Sequence, residues 1–165
     1  MKKVSLLLTV LLVIAFAVFA LGSGESEVKD QGEGKAGTQA TVENGIGKYS
    51  VQIDSCRIAK DYSGKPVAIV KYIFTNVSDE KPAAFYVAFD DSVFQNGVGL
   101  NESYMLDDSA NYSSDNQTKE IKAGASLEVE VAYELNDETT DIEVEVSELF
   151  SFDDTVITKT FSIVE

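Results

Sequence analysis

Adjacent acidic residues are the side chains of this sequence best suited to bind a cation or to take part in catalysis. They are Asp90-Asp91, Asp107-Asp108 and Asp153-Asp154, with Asp115-Asn116 as a further oxygen pair. Calcium takes about six to eight oxygen ligands, which clustered loop carboxylates can supply. However, no D-x-D-x-D-G loop is present, and Asp also favours turns because its side chain accepts backbone N–H groups. We therefore predict solvent-exposed turns, with a calcium-stabilised module as the alternative.

Two carboxylates at a suitable separation could also hydrolyse a glycosidic bond. With 28 acidic residues in the chain, some pair reaches such a separation by chance. The absence of histidine excludes Ser-His-Asp and Cys-His catalysis and His-ligated zinc. We predict that the protein is not an enzyme, and we assign no catalytic, cofactor-binding or metal-ligating residue and no cofactor. An acid with a raised pKa inside a concave pocket would favour the hydrolase alternative.

The single cysteine, Cys56, excludes an internal disulfide. It lies in the same apolar phase as Ile58, and a lone cysteine at such a position is usually a small buried hydrophobe. A reactive thiol is the alternative, although no histidine is available to activate it.

Aromatic residues mostly occupy alternating positions, which predicts that they belong to the core. These are Tyr72, Phe74, Phe85, Phe89, Phe94 and Tyr133. Tyr86 and Tyr112 are expected to be exposed and are candidate partner contacts.

The N-terminal segment, residues 1–22, has the layout of a secretory signal peptide. Lys2 and Lys3 form a basic start, an apolar run follows, and Ala20-Leu21-Gly22 places small residues before Ser23. An uncleaved membrane anchor is the alternative, since the run is about long enough to span a bilayer. A lipoprotein signal would require cysteine where this chain has Ser23, so no lipid attachment is predicted there.

Residues 23–45 are rich in glycine and charge and contain no aromatic residue, which predicts a flexible linker. From residue 46 to 165 the apolar residues follow a period of two, as in half-buried strands. We predict strands over 51–58, 68–74, 83–89, 127–135, 142–147 and 156–164. The expected fold is an all-β, immunoglobulin-like, antiparallel two-sheet sandwich of about seven or eight strands.

Three local features refine this prediction. The apolar phase slips at Asp54-Ser55, which predicts a β-bulge. Asn96-Gly97 predicts a tight hairpin, because both residues tolerate positive φ. A hairpin of 127–135 with 142–147 would place Glu134 opposite Glu143, so we expect these two strands to lie in different sheets.

The polar stretch 101–119 is predicted to be a long loop with a short strand near Tyr104–Leu106, and it is the favoured binding surface.

Residues 49–145 resemble a domain-of-unknown-function family of secreted Gram-positive proteins, mostly lipoproteins. The resemblance depends on Val51-Gln52-Ile53, on the stretch from Gly64 to Asn76, on Ala88 to Val98 and on Ile121 to Gly124. It implies an immunoglobulin-like sandwich related to that of a mycobacterial secreted immunoprotective antigen. It also implies an envelope-tethered binding or adhesion module.

The net charge of −15 disfavours nucleic acid as a partner. We predict an exported, non-catalytic binding module, extracellular or in the cell envelope, whose unknown partner is a protein or the cell wall. Membrane contact is expected only through residues 1–22, if they remain uncleaved.

Overall fold

The computed structural model describes residues 45–78, 81–152 and 154–164. The chain divides into two units, residues 1–38 and 39–165, and every described residue belongs to the second. The predicted signal peptide, the predicted linker except Gly45, and Asp153 of one acidic pair lie outside the described residues. Within the described ranges, no helix combines the length and apolarity needed to cross a membrane.

The described part of the chain contains eight β-strands in two antiparallel sheets. The strands are β1 (Gly45–Ile46), β2 (Tyr49–Lys60), β3 (Pro66–Asn76), β4 (Phe89–Gln95), β5 (Val98–Gly99), β6 (Ser126–Glu134), β7 (Ile142–Glu148) and β8 (Val156–Phe161). One sheet has the order β1-β2-β3-β6 and the other β5-β4-β7-β8. The predicted all-β sandwich is confirmed.

The connections follow an immunoglobulin-type path. The chain crosses between sheets after β3, after β5 and again between β6 and β7. The prediction that strands β6 and β7 do not pair is therefore confirmed. The Asn96-Gly97 hairpin is confirmed as well, since both residues have positive φ, 53° and 73°, between β4 and β5.

Strand β3 is buried on both faces. Its inner face, which includes Val70 and Tyr72, packs in the main core between the sheets. Its outer face carries Val67 and Ile69, which pack in a second, smaller core with Leu106 of the 101–119 stretch. β3 is a central strand of its sheet, because it pairs with β2 on one side and β6 on the other.

Residues 101–119, which we call the cover segment, lie over the outer face of the β2-β3-β6 sheet. The segment contains two 3-10 helices, Asp108–Ala110 and Asp115–Gln117. In place of the short strand predicted near Tyr104–Leu106, Leu106 makes one isolated bridge, to Asp61. The polar composition is explained by the solvent-facing side of the segment, and a few apolar side chains suffice to cover the outer face of β3.

Side chains hold the cover segment to the sheet. Arg57 Nη1 of β2 donates to the carbonyl of Ala110 at 2.6 Å. Arg57 also pairs with Glu130 of β6 at 3.1 Å, and Gln117 Nε2 donates to the Glu130 carbonyl at 2.7 Å. These contacts offset the ordering entropy of a segment with little regular structure.

The predicted bulge in β2 is confirmed, because its register with β3 shifts between Ile53 and Ser55. A bulge leaves backbone groups without ladder partners. Lys159 of β8 reaches from the other sheet, and its Nζ donates to the carbonyls of Ile53 and Asp54 at 2.9 and 2.7 Å. The bulge and the lysine together join the two sheets along this side of the sandwich.

The strand predicted over residues 83–89 is wrong. Residues Phe85–Ala88 form a four-residue helix, α1, and β4 begins at Phe89. Phe85 and Phe89 are four residues apart, so one helical turn places both rings on the core, with centroids 5.4 Å apart. Val87, which a strand would have buried with them, is 46% exposed.

Replacing Leu106 with Ala tests the cover segment. Because Leu106 is 7% exposed in the second core, we expect Leu106→Ala to lower the free energy of unfolding by about 2 kcal/mol in urea denaturation. Met105→Ala is the matched control, since Met105 is 73% exposed, and it should change stability by less than about 0.5 kcal/mol. Equal effects of the two changes would contradict the packing of Leu106.

Candidate functional site

A carboxylate inside the sandwich is the first unusual feature of the site. Asp91 lies on β4 between Phe89 and Val93, and the pleat of a strand directs these alternate residues to the same face. Phe89 and Val93 are buried in the core, Asp91 is partly buried beside them, and Asp90 is exposed. The Asp90-Asp91 pair is therefore divided between solvent and interior.

Two tyrosines from the opposite sheet surround the Asp91 carboxylate. The Tyr133 hydroxyl of β6 donates a short hydrogen bond to Asp91 Oδ2. The Tyr72 hydroxyl of β3 lies 3.4 Å from that of Tyr133. Both tyrosines are fully buried, so this chain of polar groups connects the sheets within an otherwise apolar layer.

Burial raises the pKa of Asp91, the hydrogen bond from Tyr133 lowers it and the negative charge of Glu102 raises it, and the net value is about 6. Burial also raises the pKa values of Tyr72 and Tyr133 well above their usual range, so both phenols remain neutral donors. Asp91 is thus a carboxyl group that titrates close to neutral pH.

The carboxylate faces a cavity of about 390 Å³, which we call the side cavity. It lies where the chain leaves β5 and enters the cover segment, and its walls include Phe94, Leu100, Glu102 and Tyr104. The Tyr104 hydroxyl donates to Glu102. No lysine or arginine is among the lining residues of this described part of the chain, so the cavity carries two carboxylates without a basic partner.

A second surface lies at one end of the sandwich, and we call it the aromatic end patch. It consists of Tyr86 and Val87 of α1 and Phe150 and Phe152 of the β7–β8 turn. The backbone N–H of Leu149 donates to the carbonyl of Ala88 at 2.9 Å, which brings the two connections together. Tyr86 is 58% exposed and Phe150 is 90% exposed.

Phe150 has a φ of 63°, in the left-handed region. This conformation is unfavourable for a bulky residue and commonly marks a functional segment. Phe152 is also fully exposed. The turn therefore directs two large apolar side chains into solvent at a cost in both hydration and backbone energy.

The other acidic pairs behave largely as turn residues. Asp107 accepts the backbone N–H of Ser109 at 2.9 Å and begins a 3-10 helix. Asp108 accepts the Tyr62 hydroxyl at 3.3 Å, and Asp154 is exposed. Across the described ranges, no three acidic, histidine or cysteine side chains are grouped as a metal site would require. The calcium alternative therefore gains no support from their placement.

Most aromatic predictions hold. Five of the six predicted core aromatics are buried, namely Tyr72, Phe74, Phe85, Phe89 and Tyr133. Phe94 is only half-buried and lines the side cavity. Tyr86 is exposed as predicted, but the prediction for Tyr112 is wrong: it is half-buried against the second core, and its hydroxyl accepts from Gln117 at 3.1 Å.

Cys56 is half-buried and packs against the main core. Burial raises the pKa of its thiol to about 11, with partial compensation by the positive charge of Arg57. This environment favours the small-hydrophobe interpretation and opposes thiolate formation.

Sequence reasoning identified only parts of the two surfaces, namely Tyr86 as a candidate partner contact and Asp90-Asp91 as an acidic pair. Asp91 is in phase with Phe89 and Val93, but the predicted strand ended at Phe89 and the adjacent Asp90 suggested a turn. Phe150 and Phe152 carried a signal that was not used, because phenylalanine is unusual in a polar turn. The favoured surface, the cover segment, proves to be largely engaged with the sheet beneath it.

Comparison with known families decides the classification of the chain. A family model described as a domain of unknown function, DUF5067, matches residues 24–148. The chain belongs to this family. The match includes most of the predicted linker and ends at Glu148, before β8. No curated protein is significantly similar to the chain.

Solved structures similar to this DUF5067 protein share its fold. Two are described as a "putative lipoprotein": one from Staphylococcus aureus (18% identity, TM-score 0.54, covering 70% of this chain and 84% of that one) and one from Bacillus subtilis (16%, 0.55, 75% and 39%). A third is a protein from Enterococcus faecalis (22%, 0.52, 71% and 86%). The chain spans 39% of the Bacillus protein. None of the three is mycobacterial, so the relation to the mycobacterial antigen stays a prediction.

Removing the charge of Asp91 should stabilise this DUF5067 domain above neutral pH. A pKa raised to about 6 means that the folded state binds the proton more tightly than the unfolded state does, so this group loses stabilising effect as pH rises from about 4 to 6. We expect Asp91→Asn to be more stable than the wild type by about 1–2 kcal/mol at about pH 8, after allowance for partial exposure, and equal to it at about pH 4.

Urea denaturation across this pH range measures the difference. Asp90→Asn is the matched control, because Asp90 is exposed on the same strand, and it should leave the pH profile unchanged. A stability difference for Asp91→Asn that grows as the pH falls would contradict the raised pKa.

The Cys56 thiol should react slowly in the folded domain. With a pKa of about 11 instead of the ordinary value of 9.0, the thiolate fraction at about pH 8 falls by about a hundred-fold. We expect labelling by Ellman's reagent to be slower than in urea-unfolded protein by at least that factor. Equal rates in the two states would show an accessible, activated thiol.

Proposed function

We propose that this chain is an exported, non-catalytic binding module that acts in the Gram-positive cell envelope or outside the cell. The signal-like segment 1–22 supports export. The fold shared with two proteins described as lipoproteins gives a further reason to consider the envelope. Attachment in this chain would use the N-terminal segment itself, because Ser23 offers no thiol for lipid.

The observation that carries the proposal is the aromatic end patch. Exposed apolar patches on a soluble domain mark interaction sites more often than chance exposure does. Phe150 and Phe152 lie in the loop that joins β7 to β8, and Tyr86 lies in the connection from β3 to β4. In immunoglobulin-like domains the equivalent connections share one end of the sandwich and form binding surfaces.

The chemistry of the patch favours a protein partner. Its side chains offer apolar area with few hydrogen-bonding groups, and acidic residues flank the turn in the sequence: Glu148 precedes it and Asp154 lies two residues after Phe152. A complementary partner would present an apolar pocket with a basic rim. Cell-wall polysaccharide, the other partner class, would need more polar groups on the binding surface.

The side cavity favours a second candidate, a hydrolase that uses Asp91 and Glu102. It meets the condition of an acid with a raised pKa in a concave pocket. We nevertheless assign the cavity to binding, because each carboxylate already accepts a tyrosine hydroxyl. Hydrolysis of an envelope glycan that is lost in Asp91→Asn would reverse this assignment.

Binding of the full chain to intact Gram-positive cells tests the role of the patch. If Phe150 and Phe152 are anchors, the double variant Phe150→Ser/Phe152→Ser should weaken binding by about thirty-fold, which corresponds to about 2 kcal/mol. Prior treatment of the cells with protease should abolish binding if the partner is a protein.

The matched control is Tyr62→Ser/Met105→Ser. These side chains are 66% and 73% exposed, and they lie at the opposite end of the sandwich. The control should bind as the wild type does. Equal binding by both double variants would exclude the patch, and full binding to protease-treated cells would identify the wall as the partner.

A further inference from the structure

We propose that the side cavity binds an organic cation, whose ammonium group pairs with the Asp91 carboxylate and whose carbon substituents contact the rings of Tyr104 and Phe94. This site is on the side of the sandwich and is separate from the aromatic end patch. The proposal does not depend on the function proposed for that patch.

The first argument is the unbalanced charge of Asp91. Carboxylates within a protein are normally paired with a cation, because transfer from water is costly. Asp91 makes no ion pair with any described residue, and the groups that face it are acidic or neutral: Tyr133, Tyr72 and, across the cavity, Glu102 and Tyr104. A bound cation would supply the missing charge.

The second argument is the form of the cavity. Its volume of about 390 Å³ falls within the range of small-molecule sites, about 300–1,000 Å³. The carboxylate lies at its inner wall, and Glu102 and Tyr104 are exposed at its mouth. A cation that enters the cavity passes the negative charge of Glu102 before it reaches that of Asp91. Both charges attract the cation and favour its binding.

The walls select an organic cation over a metal ion. Calcium requires about six to eight oxygen ligands, and the described residues provide no group of three acidic, histidine or cysteine side chains here or elsewhere. Phe94, Leu100 and the Tyr104 ring add apolar surfaces to a lining that is otherwise mostly polar. Aromatic rings attract alkylammonium groups through their negative faces, in addition to the carboxylate.

The test uses choline as a probe, with its neutral tert-butyl analogue as the matched ligand control. Both have the same shape, but only choline carries a charge. Titration of the full chain, followed by amide chemical shifts, should show saturable changes at Asp91, Leu100, Glu102 and Tyr133. The neutral analogue should bind at least about ten-fold more weakly.

The pH dependence identifies the responsible carboxylate. Choline keeps its charge at all pH values, so only the protein titrates. With a pKa of about 6, Asp91 is about one-tenth ionised at pH 5, and affinity should fall about ten-fold between pH 8 and pH 5. Asp91→Asn should weaken binding at pH 8 by at least the same factor and remove the pH dependence, while Asp90→Asn should have no effect.

Glu102→Gln should weaken binding by a smaller factor, because Glu102 is exposed. The fold of each variant is verified by its amide spectrum. Absence of saturable binding up to about 50 mM choline at pH 8, or equal affinity for the neutral analogue, would overturn the proposal. Unchanged affinity in a folded Asp91→Asn variant would overturn it as well.

The ammonium group has two possible sources, a free small molecule or a lysine side chain of a partner protein. Butylammonium and Nα-acetyl-lysine N-methylamide present the same primary ammonium group. The first compound has no peptide backbone and the second has one. Tighter binding of butylammonium indicates a free ligand, and tighter binding of the lysine derivative indicates a partner side chain. Both results support a cation site.

Discussion

The burial of β3 on both faces is the constraint on which the rest of the structure depends. A strand with one apolar face needs a single partner layer, but the alternation in β3 leaves Val67 and Ile69 directed away from the second sheet. These side chains would expose apolar surface unless something covered them. The chain meets this requirement with the cover segment, so residues 101–119 are fixed to the outer face and are not a free recognition loop. Arg57 then satisfies the Ala110 carbonyl of this irregular segment, and Gln117 of the segment satisfies the Glu130 carbonyl on the edge strand β6.

Polar groups within the sandwich define its two sides. On one side Lys159 satisfies the carbonyls of the β2 bulge. On the other side Tyr133 donates to Asp91, and a negative charge remains uncompensated beside a cavity. The two sides therefore differ in charge balance although each joins the same two sheets. Structural polar groups are normally fully partnered, and the incomplete pairing of Asp91 is what distinguishes a candidate site from a structural contact.

Much of the fold could be predicted because local patterns and global packing agree. The phase slip at Asp54-Ser55 and the Asn96-Gly97 hairpin each depend on neighbouring residues only, and both are confirmed. The Glu134–Glu143 conflict correctly separated β6 from β7. By contrast, Phe85 and Phe89 are compatible with both a strand and a helical turn, and the spacing alone could not decide between them.

The candidate sites were harder to predict for a physical reason. Asp91 belongs to the interior only because β4 begins at Phe89, and its neighbour Asp90 concealed the alternation. The cover segment is polar in composition, and the few apolar residues that anchor it, such as Leu106, resemble chance occurrences in a loop. Phe150 and Phe152 are exposed to solvent, although apolar residues are usually buried. Hydrophobic periodicity identifies core positions, so it gives no indication of the role of exposed apolar residues.

The lysine that closes the bulge also affects how many copies of the domain behave together. Strand β8 is an edge strand, and an unpaired edge is a template on which another chain can add a strand. Here the edge is six residues long, and an inward-pointing lysine occupies its middle. A strand added to β8 by a neighbouring molecule would extend the apolar layer between the sheets past the Lys159 ammonium group. A charged group in such a layer is unfavourable. The inward-pointing lysine therefore disfavours edge-to-edge pairing of two copies through β8.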